Sequence, residues 1–102
     1  MDATLIFPLV IHKDRRSDYG VTVPDLPGCF SAGRTIEEAI HLAREAIVLH
    51  LDGLRQEGLL IPHPKPIATH RRIKDYARAV WAIVLVPAPK QKRAVQRSRS
   101  AA

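Results

Sequence analysis

Five histidines, one cysteine and ten carboxylates are the side chains of this 102-residue chain from which chemistry could be built. His12, His41, His50, His63 and His70 lack a metal-ligand spacing such as His-Glu-x-x-His. The lone Cys29 excludes an intramolecular disulfide framework and a Cys-rich zinc site. It opens a strand and reads as a small buried hydrophobe rather than a nucleophile, and no histidine–carboxylate arrangement is readable beside it. Two-metal phosphodiester chemistry needs carboxylates converging on ions about 4 Å apart. Asp14, Asp18 and Asp25 sit in turns, and no strand carries an inward acid. Thr35 has a helix-cap role, and Ser98 and Ser100 lie in the tail. These residues predict no catalytic site, no metal and no cofactor, which leaves binding.

Charge narrows the kind of binding. The net charge is +6 and the pI near 10.1, as in a nucleic-acid binder, but the distribution is uneven. Residues 1–67 carry seven Lys/Arg and nine Asp/Glu, a net of −2, whereas residues 68–102 carry nine Lys/Arg and only Asp75, a net of +8. A mildly acidic body precedes a basic C-terminal third. No apolar run approaches the ~18 residues of a membrane span, and no signal peptide is readable, so a cytoplasmic protein is expected.

The elements that would position a binding surface follow from periodicity. Thr4 to Lys13 is β-prone, and Pro8 predicts an edge or a bulge there because it donates nothing to a ladder. After a polar turn at 14–18, Tyr19 to Val23 alternates, with Tyr19, Val21 and Val23 on one face. The two segments form a hairpin. Pro24-Asp25-Leu26-Pro27-Gly28 is a rigid turn, and a strand over Cys29 to Ala32 ends at Gly33. Thr35 and Glu38 make a capping box. Ile36, Ile40, Ala43, Ile47, Leu51 and Leu54 then form an apolar stripe, widened by Ala39, Leu42 and Ala46, which predicts a helix over 35–57 stopped by Gly58. Glu37, His41, Glu45, Asp52 and Arg55 take the opposite side, and His50 falls near the stripe as a core or interface residue. Residues 61–67 form a proline-rich connector, and 70–78 a short basic helix. Val80 to Val86 is a buried-type strand. It is apolar on both faces, Trp81, Ile83 and Leu85 on one and Val80, Ala82, Val84 and Val86 on the other. One helix cannot cover both sides of such a sheet, so the short helix or a second chain must, and a homodimer or tetramer is expected.

The run YGVTVPDLPGCFSAGRTIEEAIHLAREAIVLHLDGL, residues 19–54, resembles the HicB-type antitoxins of bacterial toxin–antitoxin pairs. The strand running into PDLPGC, the Gly-x-Thr-x-Glu-Glu-Ala helix start and the Ala-Arg-Glu-Ala that follows carry the likeness, which with flanking strands spans about residues 4–86. The resemblance implies a partial RNase H-like α+β fold of order β-β-β-α-β. Its antiparallel sheet has one long helix packed on one face and lacks the nuclease's metal-binding carboxylates. It also implies a partner: a HicA-type toxin, a small basic ribonuclease that uses a catalytic histidine and that the antitoxin blocks by direct binding. Two departures stand out. Arg34 replaces the acidic residue common in the family, removing a negative charge near the helix N-terminus, where the dipole favours one. Only 16 residues follow the last strand, too few for the helix-turn-helix or ribbon-helix-helix that many members carry. The expected organisation is a domain over 1–88 and a basic tail over 89–102.

Each candidate has a plain structural reading beside the functional one. Pro24, Pro27, Gly28, Cys29, Gly33 and Thr35 are motif positions explained by backbone geometry. Asp18, Tyr19, Asp25, Leu26, Glu37, Glu38 and Glu45 are the candidate toxin contacts; the helix acids are otherwise a solvated face. Lys90, Lys92, Arg93, Arg97 and Arg99 can neutralise phosphates without reading bases, or form a solvated terminus. The expected function is an antitoxin that masks a ribonuclease toxin's active site without being an enzyme. The alternatives are a nucleic-acid-binding regulator acting through the basic third, and an oligomeric scaffold that has lost its toxin.

Overall fold

A computed structural model of the chain describes residues 3–13, 18–76 and 78–90. The strands are β1 (Thr4–Lys13), β2 (Tyr19–Thr22), β3 (Phe30–Gly33) and β4 (Val80–Pro87), and the helices α1 (Ile36–Gln56) and the single-turn α2 (Ile67–His70). A 3₁₀ turn at Lys74–Tyr76 precedes β4. The four strands form one antiparallel sheet in the order β3-β2-β1-β4. This is the α+β arrangement expected from the sequence. The part of the 14–18 turn before Asp18 lies outside the described residues.

Proline sets where the ladders stop. β1 is an inner strand, yet its pairing with β2 begins only at Val10↔Thr22, so Pro8 has a neighbouring strand on the β4 side alone. Extending that register would set Pro8 against Pro24. Neither has an N–H to give, and the ladder ends before them. The edge character read from Pro8 is therefore local to one half of a central strand.

Helix α1 starts and ends on sequence signals. Thr35 accepts the Glu38 N–H at 3.0 Å, and the Glu38 carboxylate accepts the Arg34 N–H at 2.7 Å, one residue upstream of the ordinary capping-box partner. At the other end Gly58 takes φ 74°. The Gly58 and Leu59 amides donate to the Arg55 and Leu54 carbonyls, a Schellman closure. The stripe that faces the sheet is Ala39, Ala43, Ile47 and Leu51, flanked by Ile40, Ala46 and Leu54. Ile36 and Leu42, counted in the stripe from sequence, lie at its margin and are exposed.

The core lies between α1 and one sheet face, where Phe7, Leu9, Ile11, Val21, Val23, Val84 and Val86 meet the helix. Ser31 Oγ donates to the Ala39 carbonyl at 2.7 Å, tying β3 to the first helical turn. A Cβ on Gly33 would stand 2.6 Å from the Ala39 backbone nitrogen, so the close approach of strand and helix requires glycine here. The other face carries Ile6, Pro8, Val10, Trp81, Ile83 and Leu85, by the same register. It is partly covered by the segment from Pro64 to Tyr76. The basic helix expected at 70–78 is instead α2 one turn earlier, followed by turns and the 3₁₀ segment. Ile67 supplies its only large apolar anchor; Arg71, Arg72 and Lys74 have nothing to bury.

Candidate functional site

Helix α1 presents an outward ridge formed by Glu37, His41, Glu45 and Leu49, each one helical turn from the next. His41 Nε2 and Glu45 Oε2 approach to 3.3 Å across it. Leu49 is the anomaly, an apolar side chain 74% exposed on the polar side of the helix. Shallow depressions flank it. One, of about 540 Å³, lies between the helix and the exit of β4, lined by Arg44, Glu45, Val48, Asp52 and Pro87 to Pro89. The other, of about 220 Å³, joins Ala46, Leu49 and His50 to Gly28, Cys29 and Phe30 of the proline turn and β3. Phe30 is itself 70% exposed. Apolar side chains rimmed by charge are the usual mark of a protein-contact surface.

The proline turn is rigid for reasons visible in its bonds. Val23 N–H donates to Cys29 O at 3.1 Å, continuing the β2–β3 ladder, and Leu26 and Cys29 close the loop through bonds of 3.0 Å each. Gly28 adopts φ 84°, a left-handed conformation that favours glycine. The Leu26 side chain plugs into the core. Burial pushes the Cys29 thiol above its ordinary value, which keeps it protonated and unreactive.

On the sheet's far face Asp25 reaches a partner that sequence spacing does not reveal. Its Oδ2 lies 3.0 Å from His70 Nε2, with the two side chains only 4% and 8% exposed, and its Oδ1 accepts the Lys65 N–H at 2.9 Å. The approach to His70 is a close polar contact without hydrogen-bond alignment. His70 stacks on Trp81 at 6.3 Å, and Tyr76 meets Trp81 edge-on at 5.9 Å. A carboxylate–imidazole pair is the orienting half of a catalytic triad, but this one is closed under rings and chain, where no macromolecular substrate reaches the imidazole. Its role is to fasten the connector to the turn.

The sequence candidates therefore separate. Glu37, Glu38, Glu45 and Asp18 are exposed and Tyr19 is half-buried under Lys13. The Asp25 carboxylate and Leu26 face inward, so as contact residues they are corrected: they shape the turn, and its exposed rim is Pro27 and Gly28. Gly33 lies against the Ala39 backbone, Thr35 accepts the Glu38 N–H, and Pro24 is half-buried in the turn. Lys90 is exposed, while Lys92, Arg93, Arg97 and Arg99 lie outside the described residues. Leu49 and Phe30 were not singled out by sequence. Leu49 could have been, being an apolar residue roughly opposite Ile47 on the helical wheel. Among the described residues no three His, Cys, Asp or Glu side chains group as metal ligands, and no helix is long and apolar enough to cross a membrane.

A family model described as "HicB_like antitoxin of bacterial toxin-antitoxin system" matches residues 7–99. The chain belongs to this antitoxin family. The N-terminal domain of antitoxin HicB from Burkholderia pseudomallei is 46% identical with a TM-score of 0.69, covering 78% of this chain and 95% of that one. A chain of the HicA3–HicB3 toxin–antitoxin complex is 30% identical with a TM-score of 0.63, again over 78% and 95%. A 14.9 kDa protein from the rep-hol intergenic region of Haemophilus phage HP1 is 36% identical over 80 residues, 78% of this chain. Those residues are 59% of the phage protein, so this chain spans about three-fifths of that relative's length. The family motifs map onto the geometry above: PDLPGC is the hydrogen-bonded turn, and Gly-x-Thr-x-Glu-Glu-Ala the close-packed, capped start of α1.

Proposed function

We propose that this antitoxin binds a small, basic ribonuclease toxin of the HicA type and silences it by covering its active site and RNA surface. The observation that carries the reading is Leu49, exposed on an acidic ridge between two apolar depressions. Such a ridge suits a basic protein: the carboxylates steer the encounter and reject other partners, and the buried leucine anchors the complex. Family membership and the HicA3–HicB3 complex of a relative support the partner class. The action is binding rather than catalysis, in the cytoplasm where transcripts are cut, by a chain that self-associates.

The test is toxin binding and RNA cleavage with the cognate HicA-type protein. Leu49→Asp weakens binding roughly 30-fold, the loss of one hot-spot side chain. The pair Glu37→Lys and Glu45→Lys lowers the association rate and flattens its salt dependence. Glu38 stays untouched, because it caps α1. Wild-type inhibition by both variants, with unchanged thermal stability, would sink the proposal.

A second reading rests on Arg71, Arg72, Lys74 and Arg78, all exposed between α2 and β4. They form a phosphate-neutralising patch that adds nucleic-acid affinity without base readout. A salt-titrated gel shift with Arg71→Glu and Arg72→Glu distinguishes it; binding that ignores both substitutions removes it.

A further inference from the structure

β4 delivers the chain into the larger depression beside Leu49. Pro87 to Pro89 form one wall of that groove, and Glu45, Val48 and Leu49 stand on the other. Ala88 N–H donates to Ala3 O at 2.9 Å, which holds the exit against β1 and fixes where Lys90 leaves the body. Whatever follows Lys90 therefore starts at the groove. The floor is apolar and open, since Val48 and Leu49 are both exposed. The cation of the helical wall, Arg44, donates its Nε–H to Leu85 O at 3.1 Å. The carboxylates of α1 divide. Glu38 caps the helix, and Asp52 accepts from Arg55 and Gln56. Glu45 faces His41 at 3.3 Å, and Glu37 stands exposed two turns away. The segment that begins at the groove carries the complementary charge. Residues 90–99 read KQKRAVQRSR, five cations without an acid, with Ala94-Val95 as an apolar pair among them.

We propose that this groove is the docking place of the chain's own basic segment, residues 90–99, which acts as a built-in competitor for the acidic ridge. Ala94 and Val95 cover the floor at Val48 and Leu49, and the cations on either side of them meet Glu45 and Glu37. The reach suffices. From Glu45 to Glu37 the helix rises about 12 Å, whereas ten extended residues span up to about 33 Å. The tether also makes a weak contact count. A short flexible linker holds its end at an effective concentration on the order of millimolar. A segment that binds with a millimolar dissociation constant in trans is then docked about half the time in cis. Half-occupancy lowers the apparent affinity of any competitor about twofold, and tighter docking lowers it further. A partner that displaces the segment must match both the charge and the apolar floor, so the competitor rejects proteins that are merely basic. The docking stands on the exit of β4 and on charge; its effect on the toxin rests on the function proposed above.

The experiment attaches a nitroxide to the full chain through Ser100→Cys, Cys29 being buried, and reads the amide spectrum. At low salt the label broadens the amides of Glu37, His41, Glu45, Val48 and Leu49. Salt near 1 M, where the Debye length is about 3 Å, relieves the broadening. So does replacing Lys92, Arg93, Arg97 and Arg99 by serine, and so does the pair Glu37→Gln and Glu45→Gln on the ridge. Both sets of substitutions are remote from the core, and the unlabelled spectra report that each variant is folded. In a toxin titration at low salt the serine variant binds at least about twofold more tightly than the wild type, and the two converge at high salt. Broadening that is missing, or spread evenly over the surface, overturns the docking. So does broadening that passes from labelled chains to unlabelled ones, because the occupant is then another copy's segment. Broadening confined to the ridge while toxin affinity ignores the serine variant leaves the docking standing and overturns its role as a competitor. A toxin that binds neither chain sinks the toxin reading alone.

Discussion

Under α1 the sheet meets only apolar side chains; on its other face it meets an imidazole, a carboxylate and one phenol ring, gathered around its own Trp81. The helix covers its face through one row, Ala39, Ala43, Ile47 and Leu51, whose spacing matches the helical turn, so burial is continuous along the whole element. The connector has no such period. Its prolines forbid a long helix, and it covers the far face at points: Ile67 near Pro8 and Ile83, His70 and Tyr76 on Trp81. Between those points Ile6, Ile83 and Leu85 stay half-exposed. A regular element seals a sheet by repetition, whereas an irregular one depends on a few specific contacts and leaves the remainder half-exposed.

The largest expected effect lies on the helix side. Phe7 is fully buried between β1 and α1, and Phe7→Ala should cost about 4 kcal/mol, a large share of what a domain this size possesses. Chemical denaturation measures it. A comparable loss from Pro8→Ala, one residue along and facing the connector, would erase the contrast between the faces.

The connector's dependence on one pair is the next place to break the comparison. Asp25→Ala or His70→Ala should each cost roughly 1–3 kcal/mol by leaving a buried polar partner unmatched. The double variant should cost less than the sum of the two. Hydrogen exchange should rise at 65–76 in all three while α1 stays protected. Exchange that rises equally in α1 would show that the two covers unfold as one unit.

Glycines sharpen the contrast within the helix side itself. Gly33→Ala drives a Cβ into the Ala39 backbone and should destabilise by roughly 1–3 kcal/mol. Gly53 has open space where its Cβ would be, and Gly53→Ala should stabilise by about 0.5–1 kcal/mol. Opposite signs in thermal melts, from the same chemical change in one chain, are the expected outcome.

What the sequence disclosed follows the same division. β1 over Thr4–Lys13, the Thr35 cap, the Gly58 stop and the two-sided apolar character of β4 were all readable, because each is written in local spacing. The Asp25–His70 pair was not. Those residues are far apart in the chain, and only the fold of the connector brings them together; Asp25 in a Pro-Asp-Leu-Pro turn reads as surface. α2 was misplaced because its anchoring is a single residue, Ile67, without a period to detect. Of the ridge, Glu37 and Glu45 are legible in the helical period, whereas Leu49 lies off the apolar stripe, and the period that marks the core does not mark it.

The smallest effect compares the buried acid with a surface one. Asp52 accepts from Arg55 Nε and Nη2 at 3.1 and 2.8 Å and from Gln56 Nε2 at 2.8 Å, all on the last turns of α1. The Arg55 hydrogen bonds foremost, with its charge and Gln56 adding, hold the Asp52 carboxyl below its ordinary value. A carboxyl with a folded-state pKa below the unfolded one contributes stability in full above the unfolded value, near 4, and loses it as pH falls through the folded value. Asp52→Asn should therefore lower the melting temperature slightly at neutral pH, and the difference should close in acid as the pH falls below the ordinary aspartate range. Salt should shrink it as well, because the pair is solvent-screened. Asp25 provides the contrast, since Asp25→Ala should keep its penalty in high salt: the partner it abandons is sealed from solvent under Trp81 and Tyr76, beyond the reach of mobile ions. A penalty at Asp25 that salt abolishes would mean the connector opens often enough to hydrate the pair, and the far face would then be less closed than its burial indicates.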